Sequence, residues 1–324
     1  MKKQFIFVYL TLCIFLSITS SAQETAQGRY LSFTYENDFF TGTYEYYTQG
    51  IRWQYLNPKL KNFFVNKVLL SMPFSTINYY GLSFVRDGFT PSSIRHSYIQ
   101  YGDRPYAGYS LLGAIHICKD DVKKEGLTSE LSMGMIGPSS GANVSQMTIH
   151  RWLHNLQPLG WVNQIQNDFA LKYEVTIEKG LINKIHWMDL TGFVNTRLGT
   201  LYDDFSSGLL LRIGVINSYF KDIGYGKSSH YDEVNYKKHQ FYFYFKPREE
   251  VVSYNATLEG GMFDKKSVYT IPPVNVEGIV YQVYSGFAYN CRSFTVSYSY
   301  AVLTREFSTG TTHFWGSINL GLCF

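Results

Sequence analysis

Apolar and polar residues alternate with a period of two along most of this chain. Leu31, Phe33 and Tyr35 oppose Ser32, Thr34 and Glu36. Phe169, Leu171, Tyr173, Val175 and Ile177 oppose Lys172, Glu174, Thr176 and Glu178. Phe294, Val296, Tyr298, Tyr300 and Val302 oppose a row of Ser and Thr, and Phe314, Ile318, Leu320, Leu322 and Phe324 share one parity at the C-terminus. A period of two marks a strand with one apolar and one polar face. The pattern predicts twelve strands, at 29–37, 47–56, 77–88, 104–118, 126–137, 168–180, 186–202, 208–220, 239–262, 277–289, 292–305 and 313–324. An even number suits a closed single-chain barrel, apolar outside and polar inside. Two stretches break the pattern. "NPKLKNFFVNKVLLSMPF" (57–74) reads as a short amphipathic helix within a turn, and 143–156 reads as a helix in the loop after the fifth strand.

The ends and the composition choose between a barrel in a membrane and a soluble all-β sandwich. Lys2 and Lys3 precede the apolar run Phe5–Ile18, and "TSSA" ends at Ala22. This is the layout of a secretory signal, so residues 1–22 are set apart and 23–324 are expected to form one domain. No later stretch approaches the ~18 uninterrupted apolar residues of a membrane helix. Tyr (28) and Phe (24) are abundant, and aromatic residues make up 18% of the chain. Such residues collect at membrane–water interfaces. The expectation is an all-β protein, a twelve-stranded antiparallel transmembrane β-barrel of the bacterial outer membrane with a short helix in an extracellular loop. A last strand ending on Phe324 resembles the terminal signal read by the barrel assembly machinery, which makes that machinery an expected partner. The net charge of +4 falls to about +2 without Lys2 and Lys3, which argues against nucleic acid as a partner. Cys118, Cys291 and Cys323 show no disulfide spacing and read as small wall residues.

If both termini face the periplasm, the loops after odd strands face outward. The first of these lies in "ENDFFTGTYEYYTQG" (36–50), which gathers a carboxylate, an amide and a hydroxyl where a turn needs none of them. Thr48 has the opposite parity from Ile51, Trp53 and Tyr55, so it belongs on the loop or beside a bulge. The loop after the fifth strand, at the same rim, carries His150 and His154 four residues apart. Three readings compete for them: a zinc site on one helix face, for which a third ligand is missing; two solvated loop histidines; or His150 as a general base paired with Asp38.

"ENDFF…YYTQG" (36–50), "GDRPYAGY" (102–109) and "GPSSGANVSQMTIHRWL…GWVNQIQND" (137–168) occur in that order. Together they resemble the outer-membrane lipid A 3′-O-deacylase family. The resemblance implies a twelve-stranded barrel that removes the 3′-linked acyloxyacyl group from lipid A by calcium-dependent hydrolysis. It implies His150 as the base that activates water, Asp38 as its orienter, and Asn37 and Thr48 around a Ca2+ ion. Arg104 falls in the "GDRPYAG" segment. With Arg95 and its neighbours Arg86 and His96, it is a candidate grip on the phosphates of lipopolysaccharide. Two positions depart from the family pattern. Tyr44-Glu45 replaces an Asp-Arg, and Leu156 stands where the family has a calcium-linked Glu. Glu45, Asn155 and Gln157 are the candidates to supply the missing oxygen. The rival expectations are a phospholipid esterase of the same site chemistry and a barrel that has lost catalysis and serves a structural or binding role.

Overall fold

The computed structural model describes residues 25–324, apart from 27, 44, 74, 76, 222, 224–235 and 292. The signal expected at 1–22 lies outside the described residues. Twelve antiparallel strands form one closed barrel: β1 (Tyr30–Asn37), β2 (Tyr46–Leu56), β3 (Ile77–Thr90), β4 (Ala107–Asp120), β5 (Glu125–Ile136), β6 (Asp168–Ile185), β7 (Met188–Gly199), β8 (Tyr202–Val215), β9 (His239–Asn255), β10 (Ile279–Cys291), β11 (Phe294–Leu303) and β12 (His313–Cys323). Each pairs with its neighbours in sequence, and β1 closes on β12 with Leu31 opposite Leu322 and Phe33 opposite Leu320. Closure leaves no strand edge, the condition for spanning a membrane with sheet. The loop after β5 carries a helix, α1 (Ala142–Trp152).

The alternation sorts as the sequence requires. Apolar side chains of the first parity face out, as at Leu112 (66% exposed), Phe169 and Phe287. The polar parity fills the lumen with ion pairs: Arg52 lies 3.2 Å from both Glu36 and Asp87, and Arg197 reaches Asp204 at 2.7 Å and Glu250 at 2.9 Å. A cavity of about 480 Å³ remains among them. At the outer end the barrel is roofed. β9 stops at Asn255, whose side chain accepts from the Thr257 amide at 3.0 Å and opens the single turn α2 (Ala256–Glu259). Leu258 on that turn packs with Ile271, Phe307 and Tyr46 over the lumen.

The strands expected at 208–220 and 239–262 are therefore displaced: β8 begins at Tyr202, and β9 ends at the cap. The segment expected as a helix at 57–74 forms two 3-10 turns instead, Pro58–Asn62 and Phe64–Lys67, the first capped by Asn57. Pro58 at the first position and the β-branched Val65 and Val68 suit short turns better than a continuous helix.

Candidate active site on the outer wall

The helix α1 starts at Gly141, whose φ of +71° favours glycine. Ala142 seats on the outward face of β3 and β4, where Gly108 makes the room. A Cβ on Gly108 would come within 2.3 Å of the Ala142 Cβ. One turn on, the buried Gln146 donates to the Thr48 hydroxyl on β2 at 2.8 Å and accepts from the Trp161 indole at 2.6 Å. Ala142, Gln146 and His150 stand four residues apart, on one stripe of the helix. The stripe crosses the wall from β4 and β3 to β2, and His150 is its next step.

Thr48 lies at a bulge in β2, where the register with β3 shifts between Tyr47 and Gln49. That placement accounts for its parity. "YYTQG" thus already belongs to β2, and the hairpin tip is 38–45. Thr48, expected near a metal, has its hydroxyl engaged by Gln146.

His150 takes its own partner from the chain. Its Nδ1 lies 2.5 Å from the Leu156 carbonyl oxygen. A carbonyl only accepts, so Nδ1 carries the proton and Nε2 keeps its lone pair. Among the described residues no hydrogen bond joins His150 to Asp38, its expected partner; the ring bonds to the Leu156 carbonyl instead. The group that holds the imidazole ring is the Leu156 carbonyl. No residue type announces a backbone carbonyl, so the sequence held no signal for it. Gln146 did have one, its spacing from Ala142 and His150. His154 follows the helix end with a φ of +53°, so it does not share a helical face with His150. The geometry that the zinc reading needed is absent there.

Asp38 opens a 3-10 turn, Asp38–Phe40, that is capped by the Asn37 side chain accepting from the Phe39 amide at 2.7 Å. Only 4% of Asp38 is exposed. Burial pushes its carboxyl well above the usual range, and the nearby Glu45 charge pushes the same way, against the lowering effect of the Phe39 amide. Of the other oxygen candidates, Asn155 accepts from the Leu156 amide at 2.8 Å. Two neighbouring carboxylates, one of them shut off from water, have the donor chemistry that suits a hard cation. Among the described residues no three His, Cys, Asp or Glu side chains gather as a metal site. The side-chain oxygens at the hairpin tip are those of Asp38, Glu45 and the neutral Asn37.

The expected phosphate grips part company. Arg104 is only 1% exposed. It pairs with Glu306, donates to Thr257 at 2.8 Å and stacks over Phe89. It holds the roof of the lumen and does not reach the outer wall, so it is no surface grip on a lipid. Arg95 is exposed in the β3–β4 loop. Arg86 faces out beside Gly141 and donates to Ser110 at 2.9 Å. At 1.5 Å per residue, the start of α1 lies about 12 Å of helix from His150.

Comparison with known proteins now decides the family. The family model "Outer membrane protein LpxR" matches residues 8–324. The chain belongs to the LpxR family. Among solved structures it is similar to LpxR from Salmonella typhimurium, with a TM-score of 0.73 at 17% identity, covering 91% of this chain and 100% of that one. A weaker likeness, TM-score 0.44 at 8% identity, is to the β domain of the Bordetella autotransporter BrkA, covering 91% of this chain and 98% of that one. No curated protein matches the chain. The LpxR likeness shows the fold, and the family is one of outer-membrane proteins. Exposed Trp152, Leu153, Leu156 and Val162 give the α1 loop an apolar surface suited to that setting.

Proposed function

We propose that this LpxR-family barrel is an esterase that removes the 3′-linked acyloxyacyl group from lipid A of the outer leaflet, with His150 as the base and Ca2+ as the cofactor. The observation that carries the reading is the His150–Leu156 hydrogen bond, which leaves Nε2 as a proton acceptor on the lipid-facing side of the wall. Nε2 removes a proton from water as the oxygen attacks the ester carbonyl, and the imidazolium returns that proton to the departing sugar oxygen. Arg86 on β3 sits beside the start of α1, about 12 Å of helix from His150, so it suits the anionic part of the lipid and not the ester. Asp38, Glu45 and Asn37 would hold calcium, which as a Lewis acid would polarise the carbonyl when bound. Lipid A from cells making the wild type or His150→Ala, compared by mass spectrometry, tests this. Loss of the acyloxyacyl group is expected only with the wild type. Identical profiles, with calcium present and both barrels folded, would sink the proposal. That result would favour the catalytically silent binding barrel, the reading that Leu156 in place of a Glu supports.

A further inference from the structure

A second feature lies on the outer wall at the end opposite α1, the end where β1 begins and β12 finishes. There several polar side chains point outward, where hydrocarbon would leave them without partners. They are Asn78 on β3, His116 and Cys118 on β4, and Ser129 on β5, all buried. The segment between β2 and β3 covers them. The Ser129 hydroxyl donates to the Leu70 carbonyl at 2.8 Å, the Tyr173 hydroxyl on β6 donates to the Val68 carbonyl at 2.8 Å, and the Leu70 amide donates to that same hydroxyl at 3.2 Å. Backbone hydrogen bonds at Leu70 and Met72 reach His116 and Cys118. The segment is a strap, lying across β4, β5 and β6 on the outside of the barrel.

The strap's other side is distinctive. Phe64 is 71% exposed and Val68 58%. Lys59, Lys61 and Lys67 are exposed beside them. Residues 57–76 contain these three lysines and no Asp or Glu. Among the described residues none of the three lysines pairs with a carboxylate. Apolar side chains flanked by cations, at the end of a membrane barrel, match the boundary between acyl chains and anionic headgroups.

We propose that the strap is a binding surface for anionic phospholipid of the periplasmic leaflet. Phe64 and Val68 enter the acyl region, and Lys59, Lys61 and Lys67 contact headgroup phosphates. The surface is independent of the esterase reading, because it lies at the other end of the wall from His150.

The test uses the whole barrel in detergent, offered equal amounts of phosphatidylglycerol and phosphatidylcholine, with retained lipid read by native mass spectrometry. The wild type should keep phosphatidylglycerol in preference. The triple variant Lys59→Gln, Lys61→Gln, Lys67→Gln should lose that preference, at roughly fivefold per lysine or about a hundredfold in all. Heat-dependent gel mobility checks that the variant is folded. Equal retention of the two lipids by the wild type, or an unchanged preference in the folded variant, overturns the proposal. A second variant, Phe64→Trp, keeps the lysines and is tolerated at an exposed position. Relative to the wild type, whose five tryptophans set the background, the variant should show added quenching by brominated acyl chains in phosphatidylglycerol vesicles, and no added quenching would also overturn the proposal.

Discussion

Arg104 and Arg86 flank the same β3–β4 connection and have opposite lives. Arg104 points into the lumen roof, where Glu306, Thr257 and the Phe89 ring surround it. Arg86 points out, held by Ser110 beside the start of α1. The motif residue, Arg104, is structural, whereas the cation outside the quoted motifs faces the lipid. The contrast separates two kinds of polar residue in a barrel. Those in the lumen complete a network, and those on the wall are available to a ligand.

The largest expected effect lies on the wall. His150→Ala should lower ester hydrolysis by about 10²–10⁴-fold, the usual range for a lost general base, with thermal unfolding unchanged. An equally large loss of stability would erase the distinction between wall and lumen. Next, Arg104→Ala leaves Glu306 buried without its partner and should cost about 3–5 kcal/mol of stability in urea titration. Gln146→Ala removes the link between Thr48 and Trp161, so about 1–3 kcal/mol is expected from the partners left unsatisfied. Arg86→Ala should leave stability within about 0.5 kcal/mol, as for other surface changes, and weaken lipid binding instead.

The smallest effect is one of pH. The Asp38 carboxyl is raised above its ordinary value of 3.8 by burial and by Glu45. Its contribution to stability is therefore fully present below that value and is lost as pH rises through the raised one. The melting temperature of the wild type relative to Asp38→Asn should fall as pH increases through this window. Calcium should flatten the fall if it binds there, and a slope unaffected by calcium would remove Asp38 from the cation site.

The strands were legible because a period of two needs only side-chain class, and wall and lumen differ in class at every step. The places where the reading slipped are set by other forces. β9 ends where Asn255 caps a turn, and 57–74 becomes a strap because the outer wall offers polar partners to its backbone. Within the site, the bulge at Thr48 was readable from parity, whereas residue type left three readings of His150 open and only the family resemblance chose among them. The partner of His150 was not readable, since Leu156 acts through a carbonyl that every residue possesses. Arg104 misled because a motif records that a residue is needed and not which side of the wall needs it.

The seam between β1 and β12 has a consequence for biogenesis. Tyr30 pairs with Cys323, so the first strand finds its last partner only after the other ten strands have been made. Such a contact is about as non-local as the chain permits, and non-local pairing slows folding. Until the seam forms, both edges stay open to unwanted strands. The chain must therefore be kept apart from its copies during its passage to the membrane, and shortening the last strand should leave a sheet that cannot close.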